Sequence, residues 1–167
     1  NNLRSVVLFN THTKIITPFL IEEKNMSLRV SEASVIINDL EFSSIKKGVL
    51  IFVCVEQHDT SQIVKEMINK IYNFKMLDGS KGITSSSLKN QNEDILIVSQ
   101  FTLAAITNKG NKPSFHKAAK PEDAKLLYDE FVTEFKKVSD KVSEGKFGAF
   151  MEIMIKNSGP VTFNFSI

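Results

Sequence analysis

The sequence contains few of the residues from which most hydrolytic and metal sites are built. Cysteine occurs once, at position 54, and histidine three times, at positions 12, 58 and 116. A single cysteine excludes an intrachain disulfide, which fits a reducing compartment. No His-x-x-x-His, Cys-x-x-Cys or Gly-x-Ser-x-Gly sequence occurs, so neither a recurrent zinc motif nor a nucleophile elbow is present. We therefore expect no metal and no other cofactor.

Long apolar runs are missing as well. No segment approaches the roughly 20 apolar residues that span a bilayer, and the apolar residues Val6–Phe9 lack the other features of a secretory signal. The 167 residues are 42% hydrophobic and 24% charged, which is typical of one soluble globular domain. We expect a single domain over residues 1–167 and a cytoplasmic location.

Acidic residues are absent between Asp94 and Glu122. The net charge of +2 is too small to indicate nucleic-acid binding by itself. The acid-free segment, however, contains a group of basic residues: Lys109, Lys112, His116, Lys117 and Lys120. Such a local cationic surface attracts phosphates and releases counterions. A solvated lysine loop is the alternative explanation.

Apolar patterns predict an α+β fold. The predicted strands are Val30–Ile37, Glu41–Ile45, Val49–Val55, Ile95–Val98, Glu152–Ile155 and Val161–Phe165. The first two are expected to form a hairpin around Asn38-Asp39. The uninterrupted apolar strand Val49–Val55 is expected in the centre of a sheet, with Cys54 as a core residue.

Helical periodicity predicts two amphipathic helices outside these strands. One is capped within Asp59–Ser61 and ends near Phe74, and the other begins at Pro121. The polar residues Thr84–Ser87 are predicted to connect elements, and Asn157–Pro160 is predicted to form a turn.

Polar residues follow the apolar strand Ile95–Val98 at the point where it is expected to reach the surface. If the strand continues, Ser99 and Phe101 share one face, and Gln100 and Thr102 project together from the other. That face offers an amide and a hydroxyl. A solvated polar face of a strand is the alternative explanation.

Two sequence motifs resemble the signatures of D-aminoacyl-tRNA deacylases. The first is Ser99-Gln-Phe-Thr-Leu103 followed by Lys109-Gly-Asn-Lys-Pro-Ser-Phe115, and the second is Asn157-Ser-Gly-Pro-Val-Thr162. The resemblance covers about Arg29 to Phe165. It implies mixed, mostly antiparallel β-sheets that form a barrel-like sandwich, with two main amphipathic helices packed outside.

The resemblance also implies an activity and a mechanism. Similar proteins hydrolyse the ester that joins a D-amino acid, and in some cases glycine, to the terminal adenosine of tRNA, which proofreads chirality in translation. They are homodimers with active sites at the subunit interface. The implied catalytic residues are Ser99, Gln100, Phe101 and Thr102, with Gly159 and Pro160 supplied by the partner through a cis peptide bond. The substrate's ribose hydroxyl and an activated water are credited with much of the catalysis.

Further substrate contacts are predicted from residue type and local charge. We expect Phe115 and Phe147 to stack on the terminal adenine, although aromatic residues beside strands are often core residues. Lys109, Lys112 and Lys117 are predicted to contact phosphates of the tRNA.

The chain departs from the family's pattern at Ala104–Ile106 and at Phe150, where family members often have other residues, including an acid at the latter position. An alternative function is therefore a deacylase-like dimer that binds tRNA or another nucleic acid without hydrolysing the ester. Both hypotheses are consistent with the acid-free, lysine-rich segment.

Residues 1–28 are atypical of the family. One hypothesis makes Leu3–Leu8 the first strand and Phe9–Leu28 a surface excursion. The other makes residues 1–24 an extension and Met26–Val30 the strand. We favour the first, because Val6–Leu8 has a higher strand propensity than Asn25–Ser27.

Overall fold

Eight strands and two α-helices form the part of the chain that the structure describes, residues 25–108 and 110–167 of a computed structural model. The strands are β1 (Asn25–Ile37), β2 (Leu40–Ile45), β3 (Gly48–Val53), β4 (Lys75–Gly79), β5 (Gly82–Ser87), β6 (Asp94–Ser99), β7 (Val142–Glu144) and β8 (Glu152–Phe165). The helices are α1 (Ser61–Asn73) and α2 (Pro121–Val138), and Phe101–Ala104 form a short 3₁₀ turn.

One six-stranded sheet organises this fold. Its order is β2-β1-β3-β6-β7. Strands β2 and β3 pair with different parts of the long strand β1, and β8 pairs with β1 on the opposite side from both. The β3–β6 and β6–β7 pairs are parallel, whereas the pairs made by β1 are antiparallel. The mixed sheet is nearly closed into a barrel, and β4 and β5 form a separate two-stranded sheet. The predicted α+β class and barrel-like arrangement are therefore confirmed.

Two apolar layers cover the faces of the sheet. Val49, Ile51 and Val53 of β3 pack in the layer that contains the buried faces of both helices. Leu50 and Phe52 pack in the layer on the opposite face. Because both faces are covered, β3 and β6 are the uninterrupted apolar runs that the sequence predicted. Cys54 follows β3 and is buried, as expected of a core residue.

Local sequence signals explain the hairpin and the helix ends. Asn38 and Asp39 have φ values of 52° and 63°, the backbone conformation of a two-residue type I′ hairpin turn. Thr60 Oγ1 accepts a hydrogen bond from the backbone N–H of Ile63 at 3.4 Å and caps α1. Pro121 is the first residue of α2, where its missing N–H costs no intrahelical bond. Within the described residues, no helix is long and apolar enough to cross a membrane.

The first strand of the sheet corrects the favoured hypothesis for the N-terminal region. Met26–Val30 lies within β1 and pairs with β3 on one side and β8 on the other. Residues 25–28 are buried, so Phe9–Leu28 is not a surface excursion at its C-terminal end. The apolar surroundings of Met26 and Leu28 outweigh the weak strand propensity of Asn25–Ser27. The first strand of the favoured hypothesis, Leu3–Leu8, lies outside the described residues.

Three further local predictions were wrong. Thr84–Ser87 belongs to β5 instead of a connection. Asn157–Pro160 is not a turn, because β8 runs from Glu152 to Phe165 with an irregularity in its pairing. Strand β6 ends at Ser99, so the alternation expected for Gln100 to Thr102 is replaced by the 3₁₀ turn.

Candidate active site

The carboxyl ends of β3 and β6 meet at one edge of the sheet, because these neighbouring strands are parallel. Their last residues, Val53 and Ser99, are paired. The backbone N–H of Gln100 then donates to the carbonyl oxygen of Val53 at 2.8 Å. The chain therefore leaves β6 in a fixed direction, and the first predicted motif begins at this edge.

The 3₁₀ turn brings together the amide and the hydroxyl that the sequence singled out. The side-chain amide Nε2 of Gln100 donates a hydrogen bond to Thr102 Oγ1. Thr102 is exposed and Gln100 is half-buried. Because the Thr102 hydroxyl accepts from Gln100, its own proton remains available for another acceptor. The two groups are adjacent as predicted, but through a turn and not through strand alternation.

The main chain of this turn is anchored from below. Leu103 N–H donates to Gln100 O at 3.3 Å, so the N–H groups of Phe101 and Thr102 precede the first bond within the turn. On the buried side, Cys54 Sγ lies 3.7 Å from the carbonyl oxygen of Phe101. A weak S–H···O bond at this distance ties the turn to the end of β3.

An aromatic pair joins the two halves of the first motif. The rings of Phe101 and Phe115 lie edge to face, with centroids 5.1 Å apart and an interplanar angle of 63°. Phe101 is 61% exposed. Ile106 and Ser114 close the loop between the rings with two backbone hydrogen bonds, of 2.8 and 3.1 Å. Residues that are far apart in the sequence motif are thus neighbours in space.

The predicted phosphate ligands lie on and after this loop. Lys112 is exposed, and Lys117 is half-buried with its carbonyl oxygen accepting from Gln57 N–H at 3.0 Å. The ion pairs found among the described residues involve other lysines. Lys109 lies outside the described residues. His116 follows the loop, and its Nδ1 atom lies 2.9 Å from Ser114 Oγ.

Phe147 occupies a different environment. Its ring contacts that of Tyr128, with centroids 5.6 Å apart, beside the apolar layer under the helices. The Tyr128 hydroxyl donates to the carbonyl oxygen of Ile97 at 2.9 Å. Burial raises the pKa of Tyr128, and nearby Glu144 raises it further, so the hydroxyl keeps its proton. The position of Phe147 favours the core role that was the alternative to adenine stacking.

The second motif lies in a bulge of β8. Val30 of β1 pairs with Asn157, and Leu28 pairs with Thr162. Residues 158–161 therefore leave the ladder opposite a single residue of β1, Arg29. Such an insertion re-aims the main chain without ending the strand.

The sheet register separates this bulge from the 3₁₀ turn of the same chain. Arg29 stands level with Val49 of β3 and Ile95 of β6, whereas the turn follows Ser99. A displacement of four residues corresponds to about 13 Å along the strands. In addition, strands β1 and β3 lie between the bulge and β6 in the sheet. One chain therefore does not bring Gly159 and Pro160 to its own Ser99–Thr102 segment.

Gly159 is required by the close packing of the bulge. A Cβ atom at this position would lie 2.7 Å from Asn157 Nδ2 and 3.0 Å from the backbone nitrogen of Val161. The Val161 nitrogen belongs to the backbone, so no side-chain rotation can relieve this second contact. The bulge therefore presents main chain without a side chain at this position.

The described residues contain no group of three or more His, Cys, Asp and Glu side chains arranged to hold a metal ion. Arg29 and Asp78 form an ion pair that was not predicted from the sequence. An arginine within a strand whose neighbours are apolar was the signal, because arginine is rarely buried without a partner.

Comparison with known proteins gives consistent matches. A family model described as D-Tyr-tRNA(Tyr) deacylase matches residues 27–166. A D-aminoacyl-tRNA deacylase of Francisella tularensis subsp. novicida is 42% identical over 139 residues, which are 83% of this chain and 96% of that protein. A D-aminoacyl-tRNA deacylase of Thermosipho melanesiensis is 42% identical over 135 residues, 80% of this chain and 90% of its own.

Two solved structures have the same fold. The structure described as c-Myc DNA Unwinding Element Binding Protein has a TM-score of 0.82 and 35% identity, covering 86% of this chain and 98% of its own. A probable eukaryotic D-amino acid tRNA deacylase has a TM-score of 0.77 and 18% identity, covering 88% and 100%.

Proposed function

The chain belongs to the D-Tyr-tRNA(Tyr) deacylase family, and from this premise we propose that it hydrolyses the ester bond of D-aminoacyl-tRNA in the cytoplasm. The products are the free D-amino acid and tRNA. The observation that carries the proposal is the meeting of Gln100, Thr102, Phe101 and Phe115 at the end of β6. These residues belong to the motif that resembles the family's signature.

The turn supplies hydrogen-bond donors in place of a side-chain nucleophile. The N–H groups of Phe101 and Thr102 stabilise the ester oxyanion, a role typically worth about 3 kcal/mol per donor. The Thr102 hydroxyl, held by Gln100, orients the attacking water or the ribose. The ribose hydroxyl of the substrate assists the attack, which fits a site without a recognisable base.

A second copy of the chain completes the site. The Gly159–Pro160 main chain of the partner enters beside Ser99–Thr102, because the two segments are about 13 Å apart along the strands of one chain. Rigid main chain close to the α-carbon excludes an L-residue, whose side chain points where the D-residue carries hydrogen. Glycine in the wedge permits this close approach.

The loop and the aromatic pair bind the end of the tRNA. Phe115 stacks on the terminal adenine, and Lys109, Lys112 and Lys117 contact phosphates. Glycyl-tRNA is a further candidate substrate, since glycine has no side chain for the wedge to reject.

The decisive experiment is incubation of the full chain with D-tyrosyl-tRNA and with L-tyrosyl-tRNA. Release of D-tyrosine with L-tyrosyl-tRNA spared is the expected result, and hydrolysis of neither ester contradicts the proposal. A second experiment, single-turnover deacylation by Thr102→Ala, tests the role of the hydroxyl. We expect the loss of this hydroxyl to lower the rate about tenfold or more. The exposed helical variant Thr133→Ala is the matched control. An unchanged rate in Thr102→Ala would exclude the hydroxyl from catalysis.

A second candidate is a dimer that binds nucleic acid without hydrolysing the ester. The similarity to a protein described as c-Myc DNA Unwinding Element Binding Protein favours it, and the cationic loop suits both functions. Binding of tRNA with no release of either tyrosine enantiomer would select this candidate.

A further inference from the structure

Arg29 is a buried cation in the middle of β1. It is 8% exposed, and its neighbours along the strand are apolar or small. A buried guanidinium needs acceptors for its N–H groups, because leaving it unpaired costs several kcal/mol. Among the described residues, two acceptors bind Arg29, and they lie on two different elements.

The first acceptor belongs to the bulge of β8. Arg29 Nε donates to the carbonyl oxygen of Ser158 at 2.7 Å. Ser158 directly precedes Gly159 and Pro160, and residues 158–161 make no ladder pairs with β1. Since the ladder does not hold this segment, the bond from Arg29 fixes its position at the N-terminal side.

The second acceptor is the carboxylate of Asp78. Arg29 Nη1 donates to Asp78 Oδ1. Asp78 belongs to β4, whose preceding residues Met76 and Leu77 are buried in the core. In addition, Gln91 Nε2 donates to the Asp78 carbonyl oxygen. The carboxylate is therefore attached to a firmly packed element, although its side chain is 55% exposed.

These contacts form a chain from β4 through Arg29 to the bulge. The guanidinium is planar and its donors are fixed relative to one another. A carboxylate that holds Nη1 therefore also sets the direction of Nε. If Asp78 is lost, Arg29 keeps its charge but can rotate toward water, and Ser158 loses its fixed donor.

We propose that Asp78 is a positioning residue for chiral discrimination, which orients Arg29 so that Arg29 holds the Gly159–Pro160 main chain in place. The inference rests on the proposed function, in which that main chain excludes L-amino acids. Asp78 touches neither substrate nor reacting atoms and acts only through Arg29.

The test compares the full-length wild-type chain with Asp78→Asn, Asp78→Glu and Asp129→Asn. Asp129 makes an exposed ion pair with Lys125 on α2 and serves as the matched control. We measure kcat/KM for D-tyrosyl-tRNA and L-tyrosyl-tRNA, together with thermal unfolding. In Asp78→Asn we expect the D/L ratio to fall about tenfold, which corresponds to about 1.4 kcal/mol. Asp78→Glu retains most of the ratio, and Asp129→Asn leaves it unchanged.

A purely structural role would give a different result. A lower Tm in Asp78→Asn with an unchanged D/L ratio overturns the inference, and so does an equal loss of ratio in Asp129→Asn. If the wild type itself does not discriminate, the proposed function fails. Amide hydrogen exchange over residues 157–162 then tests the positioning alone. Faster exchange in Asp78→Asn than in Asp129→Asn supports it, and equal exchange refutes it.

Discussion

Mixing two impaired variants tests whether each site is assembled from two chains. One variant carries Gln100→Ala and Thr102→Ala, which remove the hydrogen-bonded pair of the 3₁₀ turn. The other carries Gly159→Ala, which alters only the bulge. A heterodimer of the two contains one site with an intact turn and an intact bulge, provided that these segments come from different subunits.

The crowding around Gly159 gives the size of the second perturbation. The new methyl group would meet Asn157 Nδ2 at 2.7 Å and the backbone nitrogen of Val161 at 3.0 Å. Such overpacking costs about 1–3 kcal/mol, and each kcal/mol lowers Tm by about 2–4 °C for a chain of this size. The bulge has to shift to relieve these contacts. A displacement of this kind in a site lowers the rate by up to about a hundredfold.

The assay is hydrolysis of D-tyrosyl-tRNA after the two variants have exchanged subunits, by co-expression with two affinity tags. Random exchange of subunits makes half of the dimers heterodimers, so about one quarter of the wild-type sites are restored. Ser158→Ala, which leaves the backbone carbonyl in place, is the control for the bulge. Activity no higher than the mean of the separate variants would refute assembly in trans. Heterodimers purified through both tags in succession give the same comparison without the homodimer background.

Three other predictions concern Tyr128 and the lysines. Tyr128→Phe removes the donor to the buried carbonyl oxygen of Ile97 and should lower the free energy of unfolding by about 1–2 kcal/mol, more than Tyr72→Phe, whose hydroxyl bond to Val138 is exposed. Because the folded-state pKa of Tyr128 is raised above 10.0, the unfolded chain loses this proton first, and the free energy of unfolding falls as the pH rises past about 10. Tyr128→Phe should lose less stability than the wild type above this pH. An identical alkaline loss in both proteins would contradict the assignment. Replacing Lys112 and Lys117 by glutamine should reduce the salt dependence of tRNA binding by about one slope unit for each phosphate contact, whereas Lys65→Gln on α1 should leave it unchanged; an unaltered slope in the first pair removes both lysines from the interface.

The sequence predicted those elements whose signals are local. The apolar runs of β3 and β6, the Thr60 cap and the Asn38-Asp39 turn each depend on residues within one segment. The local structure at such positions is determined by the pattern of apolar residues, by a single capping oxygen or by residues that tolerate a positive φ. None of these requires knowledge of distant partners.

The predictions that were wrong depended on distant partners. Asn25–Ser27 reads as weak strand material, yet β3 and β8 supply neighbours on both sides. Gly159-Pro160 carries a turn signal, and the same residues are also suited to a bulge when β1 continues beside them. The two partners of Arg29 are separated from it by 49 and 129 positions in the sequence. No local sequence pattern contains such contacts.

The candidate site was located by its motif and not by its geometry. The sequence placed Gln100 and Thr102 together, but it gave a strand where the chain forms a 3₁₀ turn. It could not show that Phe115 returns to Phe101, because the loop between them closes through Ile106 and Ser114. The distance between this turn and Gly159 follows only from the register of the sheet.

The bulge of β8 allows this strand to keep its register with β1 while part of its main chain projects away from the ladder. Both flanks of the strand are locked in register with β1, so a slip by one residue would turn buried side chains outward. Residues 158–161 between the flanks have no ladder partner on β1, although Val161 is buried in the apolar layer under the helices. A change in length at residues 158–160 would alter how far the bulge projects while both flanks keep their pairing with β1, but it would also move the Ser158 carbonyl oxygen away from Arg29.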